Sequence, residues 1–323
     1  MSRFIFFWPI FVLNGLALIA LWFWTERYGE HLWLATILAY IPQHLYGLPT
    51  LLLLIWAIRN QNLIGIIANL MVLAGFLITF MGFNIPKNAA SNPSSSQPTF
   101  RFVTYNLHQD DLHQPGSTIA ALKRLNPDIA VLQESRDVNG LLQRLRAAFP
   151  NFSIEHQGEL TTISRFPIRS VQRHDLPRTA RSPLDMTLDV TLEINGRNVR
   201  IVNLHFVFAD FRGPFNKPNH SHFSRWEQTQ RLLELDQKTP VLIAGDFNTT
   251  PRGAMYSSLR GKYGNAFEQA GWGFGLTYNS RFPVIRIDHV WFNSRVRATR
   301  AFAVNDQASD HRPFVTDLVL INE

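Results

Sequence analysis

Hydrophobic positions along this chain follow two regimes. Up to residue 83 they run almost unbroken: 4–24, 32–58 and 63–83 are apolar nearly all round, with no polar face to meet water. Each is about long enough to cross a bilayer, so the pattern predicts three spans within a membrane region 1–86, the second interrupted by "PQHLYGLP". Trp22, Trp24, Tyr28, Trp33 and Trp56 fall near the span ends, where an aromatic belt belongs. No small-residue cleavage pattern follows the first run in "TERYGEHLW", which therefore reads as an uncleaved anchor rather than a signal peptide. The Ser-, Pro- and Asn-rich stretch 87–99, "KNAASNPSSSQPT", predicts a flexible linker.

From residue 100 the apolar positions come in short runs. "TFRFVTYNLH", "PDIAVLQE", "PLDMTLDVTLEI", "NVRIVNLHF", "VLIAGDF", "RIDHVWF" and "RPFVTDLVLI" predict strands. "STIAALKRLN", "VNGLLQRLRAAF" and "SRWEQTQRLLELDQ" carry the helical period, and Asn195-Gly196 marks a hairpin. Strands with helices between them predict a layered α/β or α+β sandwich over 100–323.

Charge sharpens the division. Residues 1–83 hold only Arg3, Arg27, Arg59, Glu26 and Glu30 as charged side chains, so +6 of the chain's net +7 falls after them. Arg3 and Arg59 on the inside of a three-span topology place the folded domain outside an inner membrane. The absence of cysteine excludes disulfides and thiolate metal or nucleophile sites.

Candidate chemistry sits at the strand ends. Asn106 follows "RFVTY", Glu134 follows "IAVLQ" and His205 follows "RIVNL"; Asp246 and Asn248 follow "VLIAG". Asp288 and His289 fall within "VIRIDHVWF", and Asp310 and His311 precede the last strand. One acid at a strand end is a turn or a cap. Six segments converging on one sheet edge form an acidic cleft with imidazoles, and hard carboxylate and carboxamide oxygens suit Mg²⁺ or Mn²⁺. Two residues apart on an extended chain, Asp246 and Asn248 are expected on one face.

Taken in order, "TYN", "LQE", "SRFP", "NLH", "GDFN", "IDHV" and "SDHRP" resemble the motif series of the endonuclease/exonuclease/phosphatase superfamily, across about residues 100–320. The resemblance implies a four-layered sandwich, two packed β-sheets flanked by helices, hydrolysing phosphate esters with a divalent metal and an activated water. It assigns Glu134, with Asn106 and Asp310, to the metal. Asp246 would orient or deprotonate the water, with Asn248 holding a phosphoryl oxygen or that water. His311, oriented by Asp288, would contact the scissile phosphate, and His205 would protonate the leaving oxygen. Arg181 matches a phosphate-contacting arginine or is an ordinary strand residue, and His289 reads as structural.

No position matches a catalytic tyrosine used by parts of the family. The loop 207–226, with Arg212, Lys217, His220 and His222, could grip a phosphate-bearing substrate or be simply solvated. The expected activity is membrane-anchored phosphodiester hydrolysis of a nuclease-like kind. The alternatives are a phospholipid or sphingomyelin phosphodiesterase and, with less support, a catalytically inactive binding protein. The substrate is a nucleic acid or a phospholipid headgroup, the bilayer is a second partner, and no obligate protein partner is expected.

Overall fold

The computed structural model describes residues 6–29, 31–87, 99–108, 116–175, 186–208 and 220–321. Residues 88–98 of the expected linker, Arg181, Arg212 and Lys217 lie outside them.

Two six-stranded mixed sheets pack face to face. The first runs β11 (Val296–Ala303), β12 (Phe314–Leu320), β1 (Thr99–Asn106), β2 (Ile129–Gln133), β4 (Leu160–Ser164), β3 (Ser153–Gln157). The second runs β5 (Ile168–Asp175), β6 (Met186–Ile194), β7 (Arg197–His205), β8 (Val241–Asp246), β10 (Asp288–Phe292), β9 (Gly264–Asn265). Each sheet contains a parallel pair, β1 with β2 and β7 with β8. Parallel neighbours need a crossover; α5 (Ser117–Leu125) supplies the first and α7 (His220–Leu233) the second. All four parallel strands carry a polar residue at or just beyond their C-terminal ends, the end at which open α/β sheets build their sites.

Alternation sorts each strand between layers. Phe100 and Phe102 of β1, Ile129 and Val131 of β2, and Leu242 and Ala244 of β8 fill the core between the sheets. Val103 and Tyr105 turn outward against Ile119 and Leu122 of α5 and Leu141 and Leu145 of α6 (Leu141–Ala148). Val241 and Ile243 turn the other way, against Leu232 of α7 and Tyr256 and Leu259 of α8 (Ala254–Arg260). Helices, sheet, sheet, helices make four layers, as the resemblance implies. Asn195 (φ 53) and Gly196 (φ 76) form the tight turn between β6 and β7.

The inter-sheet core turns polar toward the mouth. Gln133 Nε2 donates to Asn203 Oδ1 at 2.8 Å, and Asn203 Nδ2 donates to the carbonyls of Leu132 and Thr161 at 3.2 and 3.0 Å. Both side chains are fully buried. Asn203→Ala is expected to destabilise the domain by about 1–3 kcal/mol, because it strands a buried donor and leaves two carbonyls without that amide. A denaturant midpoint unchanged from wild type contradicts this.

The apolar region is α1 (Phe7–Tyr28), α2 (Trp33–Tyr40), a 3-10 turn Gln43–Gly47, α3 (Leu48–Arg59) and α4 (Leu63–Thr79). These helices support the expectation of three spans in an inner membrane only in part. Among the described residues, only α1 is long and apolar enough to cross a bilayer alone. The run 32–58 bends by 86° between α2 and the Gln43–Arg59 helix; Pro42 stands two residues after the end of α2, where proline withholds a helical hydrogen bond. The 17 residues of α4 make about 25 Å of helix against a hydrocarbon core of about 30 Å. The helices do not support the multi-pass count.

These helices dock on the sandwich. Asn84 pairs its backbone with Gly273 and donates from Nδ2 to the carbonyls of Phe267 and Gly271, both at 2.7 Å. Ser257 Oγ of α8 donates to Glu26 Oε1 of α1 at 2.7 Å.

Candidate active site

Strand register assembles the constellation. Asp246 pairs with His205 across the parallel β7/β8 ladder and with Asp288 across the antiparallel β8/β10 ladder. His205, Asp246 and Asp288 therefore form one row across the second sheet, on the face that buries Leu242 and Ala244. Facing them from the first sheet stands Asn106, the last residue of β1, with Glu134 one residue beyond β2. The site is the mouth of the inter-sheet core.

Backbone geometry turns three side chains back into that mouth. Glu134 (φ 48), His108 (φ 46) and Asn248 (φ 47) all adopt left-handed conformations at strand exits, an unfavourable choice for side-chain-bearing residues that concentrates at functional sites. Gly245 is required by close approach: a Cβ there would lie 1.9 Å from the Leu204 carbonyl oxygen. Asp246 and Asn248 do share a target, but through a turn rather than through strand alternation. Asn248 N donates to Asp246 Oδ1 at 2.8 Å, an Asx turn, and the Asn248 amide then reaches His205 Nε2 at 3.3 Å. "GDFN" is at once a turn and a site.

Asp246 is the hub. Its Oδ2 accepts from Asn106 Nδ2 at 3.1 Å and lies 3.6 Å from both His205 Nε2 and His311 Nε2. Burial raises its pKa, with the His311 charge opposing. Burial alone would depress His311, yet Asp288, 2.9 Å from Nδ1, and Asp246 raise it to about 10. Burial likewise opposes the charge on His205; a 2.8 Å bond to Glu159 together with Asp246 and Glu134 raises it to about 9. Both rings are imidazolium at neutral pH, with protons on both nitrogens. His205 Nε2 and His311 Nε2 thus turn N–H groups toward Asp246 Oδ2, while the Asn248 amide lies beside His205 and donates to the Phe206 carbonyl at 2.8 Å.

Glu134 and Asp310 form a second focus. Asn106 Nδ2 donates to Glu134 Oε1 at 3.1 Å, and His108 Nδ1 lies 3.9 Å from Glu134 Oε2 and 3.5 Å from Asp310 Oδ2. Two carboxylates from different strands, half-exposed and converging within reach of one point, match the hard-oxygen donor set of Mg²⁺ or Mn²⁺. Asp246, Asp288 and His311 also bring ligand-capable atoms within 4.8 Å of one another.

His289 faces away from the mouth. Its Nε2 meets the Thr249 carbonyl at 2.8 Å, its ring packs against Phe247 and Tyr256, and burial followed by Arg286 depresses its pKa to about 3. Arg181 lies outside the described residues.

Four contributors escape sequence reasoning. Glu159, which orients His205, sits on the β3–β4 hairpin rather than at the end of a parallel strand. His108 stands two residues after Asn106, the same spacing that singles out Asp246 and Asn248. Tyr278 packs its ring 5.0 Å from that of His311, and burial with the charges of Asp310, Asp246 and Glu134 raises its phenol pKa. Tyr40, in the apolar region, is the fourth. Its hydroxyl donates to the Asn248 carbonyl and accepts from Arg225 Nη2 at 2.9 Å, while Arg225 donates to the same carbonyl at 2.7 Å. Tyr40→Phe is expected to lower turnover about fivefold, the worth of roughly one hydrogen bond, with the catalytic domain's unfolding unchanged. Turnover equal to wild type would remove Tyr40 from the site.

The family model for the Endonuclease/Exonuclease/phosphatase family matches residues 103–311. No curated protein matches the chain. Solved structures do. An endonuclease/exonuclease/phosphatase from Beutenbergia cavernae is 22% identical, covering 69% of this chain and 72% of its own, with a TM-score of 0.55. The mannosyl-6-phosphatase of Bacteroides thetaiotaomicron is 19% identical, covering 68% and 100%, with a TM-score of 0.55. TDP2 of D. rerio, complexed with a single-stranded DNA product, is 15% identical, covering 68% and 98%, with a TM-score of 0.54. At these identities the neighbours share the fold, and the family model spans most of the sandwich. The chain belongs to the endonuclease/exonuclease/phosphatase family and carries that family's phosphoesterase fold.

Proposed function

We propose that this protein hydrolyses phosphate esters, phosphodiesters foremost, in the mouth between its two sheets. The observation that carries this reading is the meeting of three N–H groups, from His205, His311 and Asn106, around Asp246 Oδ2. Such a point is short of acceptors and suits the oxygens of a phosphoryl group. Asp246, made more basic by burial, orients the attacking water and takes its proton. His311, fixed by Asp288, meets the charge that grows on the phosphoryl oxygens, and the Asn248 amide holds one of them. His205 delivers its Nε2 proton to the departing oxygen. Glu134, Asp310 and Asn106 hold the divalent cation, Mg²⁺ or Mn²⁺, which supplies positive charge to the phosphate when bound.

We also propose that α1 anchors the enzyme in a membrane, supported by outward-facing Leu13, Leu16, Ile19 and Phe23. Residues 1–86, 87–99 and 100–323 then act as anchor, linker and catalytic domain. A phospholipid headgroup is favoured over nucleic acid as substrate by one contact: Tyr40 of the apolar region touches Asn248, so the mouth opens beside the apolar helices.

The proton-donor role has a pH signature. Because the folded pKa of His205 is raised, its stabilising contribution is complete below about 6.5 and is lost as pH rises through about 9. Activity should fall over the same upper range, as His205 loses the proton it must give. Glu159→Gln removes the bond that raises His205 and should move this alkaline limb to lower pH. A rate profile on a bis-aryl phosphodiester in which the limb is unmoved by Glu159→Gln contradicts the assignment.

A further inference from the structure

Where the apolar helices meet the sandwich there is a cavity of about 360 Å³, lined by Trp22, Glu26 and Phe80 on one side and by Arg252, Arg260 and Arg286 on the other. None of its lining residues belongs to the catalytic constellation. Its charges do not balance internally. Arg260 is taken up by Glu268 at 2.6 Å, and Glu26 is held by Ser257 at 2.7 Å. Arg252 is only 6% exposed, makes no ion pair with any described residue, and leaves Nε and Nη1 without hydrogen-bond partners. Its guanidinium rests 5.0 Å above the Phe80 ring. Arg286, 3% exposed, also leaves Nε without a hydrogen-bond partner and rests over Phe267.

A buried cation whose nearby carboxylate, Glu26, is already held by Ser257 is costly unless a further anion compensates it. Burial already pulls Arg252 down to about 10, with Glu26 only partly offsetting it. Arginine's planar fork matches two oxygens of a phosphate. The cavity offers two such guanidiniums, with Lys87 also at its wall. It also lies at the ends of α1 and α4, where Trp22 and Ile78 border it and an interfacial headgroup would be found.

We propose that this cavity is a second anion site, taking the phosphate of a phospholipid headgroup between Arg252 and Arg286 and so fixing the catalytic domain against the membrane surface. It goes beyond the catalytic reading, since no residue is shared, and it uses the reading of α1 as an anchor only for the source of the phosphate.

Thermal unfolding of the full-length protein in mixed micelles tests it. The probes are phosphatidylglycerol, a phosphate-free diacylglycerol and inorganic phosphate. Phosphatidylglycerol is expected to raise the midpoint by about 5 °C at saturation, and diacylglycerol to leave it unmoved. The shift should survive in His311→Ala, disappear in Arg252→Met and largely persist in Arg252→Lys. Arg252→Met should fold in phosphate-free maltoside micelles with a midpoint no lower than wild type, because it removes an uncompensated charge. Inorganic phosphate giving the whole shift, with phosphatidylglycerol adding nothing, keeps the phosphate site but overturns the lipid as its source. The site itself is overturned by any of three results: no shift from either anion, an equal shift in Arg252→Met, or failure of Arg252→Met to fold without anion. Loss of the shift in His311→Ala would assign it to the catalytic mouth instead.

Discussion

His311→Ala is expected to lower the rate of phosphate-ester hydrolysis by on the order of a hundredfold or more, the scale of one preorganised contact to developing charge, while leaving divalent-metal affinity nearly intact. The separation follows from the geometry. His311 is bound to Asp288 at 2.9 Å and stands 3.6 Å from Asp246, so its loss removes a cation from the phosphoryl point and not an oxygen from the metal focus. Asp288→Asn should act in the same direction but more mildly, because it weakens the hold on the ring without deleting it. Asp288 is fully buried, and its Oδ1 has no hydrogen-bond partner, so this variant should be checked for fold by circular dichroism. Calorimetric metal titration beside steady-state rates separates the cases. If His311→Ala binds metal as poorly as a carboxylate variant does, His311 is a ligand and the division of roles is wrong.

Glu134→Gln is the complementary change. It should abolish turnover at low metal and weaken Mg²⁺ binding by at least about tenfold, since a neutral amide is a poorer partner for a hard dication. Raising Mn²⁺ should restore part of the rate. The side chain is half-exposed and accepts from Asn106 at 3.1 Å; glutamine can keep a contact there, so the fold should survive. Wild-type affinity in Glu134→Gln would place the cation elsewhere, with the Asp246, Asp288 and His311 group as the next candidate.

What the chain reveals before folding has a physical limit that these residues mark. Asn106, Glu134, His205, Asp246 and Asp288 are legible because each follows or begins a short apolar run, and strand register then brings them into one mouth. Hydrophobic alternation likewise separates the layers: Leu242 and Ala244 face one way, Val241 and Ile243 the other. Glu159 is hidden because its role depends on the β3–β4 hairpin swinging across β7, a long-range placement with no local period. Tyr40 is hidden for the opposite reason. Its apolar surroundings read as lipid-facing, whereas α2 breaks at Pro42 and its last residue docks on the loop after β8. The three-span expectation lacks support at the same feature, because apolar length alone takes no account of a bend of 86°.

The most direct measurement is hydrolysis by the purified full-length protein of plasmid DNA, RNA, sphingomyelin, phosphatidylglycerol, a sugar phosphate and a bis-aryl phosphodiester. Each is assayed with Mg²⁺, with Mn²⁺ and with chelator, beside Asp246→Asn. The proposed function predicts cleavage of at least one phosphate ester, lost on chelation, restored by added metal and reduced by at least about a hundredfold in Asp246→Asn. Cleavage that persists in chelator or in Asp246→Asn, or no cleavage of any phosphate ester by the metal-loaded protein, would contradict it.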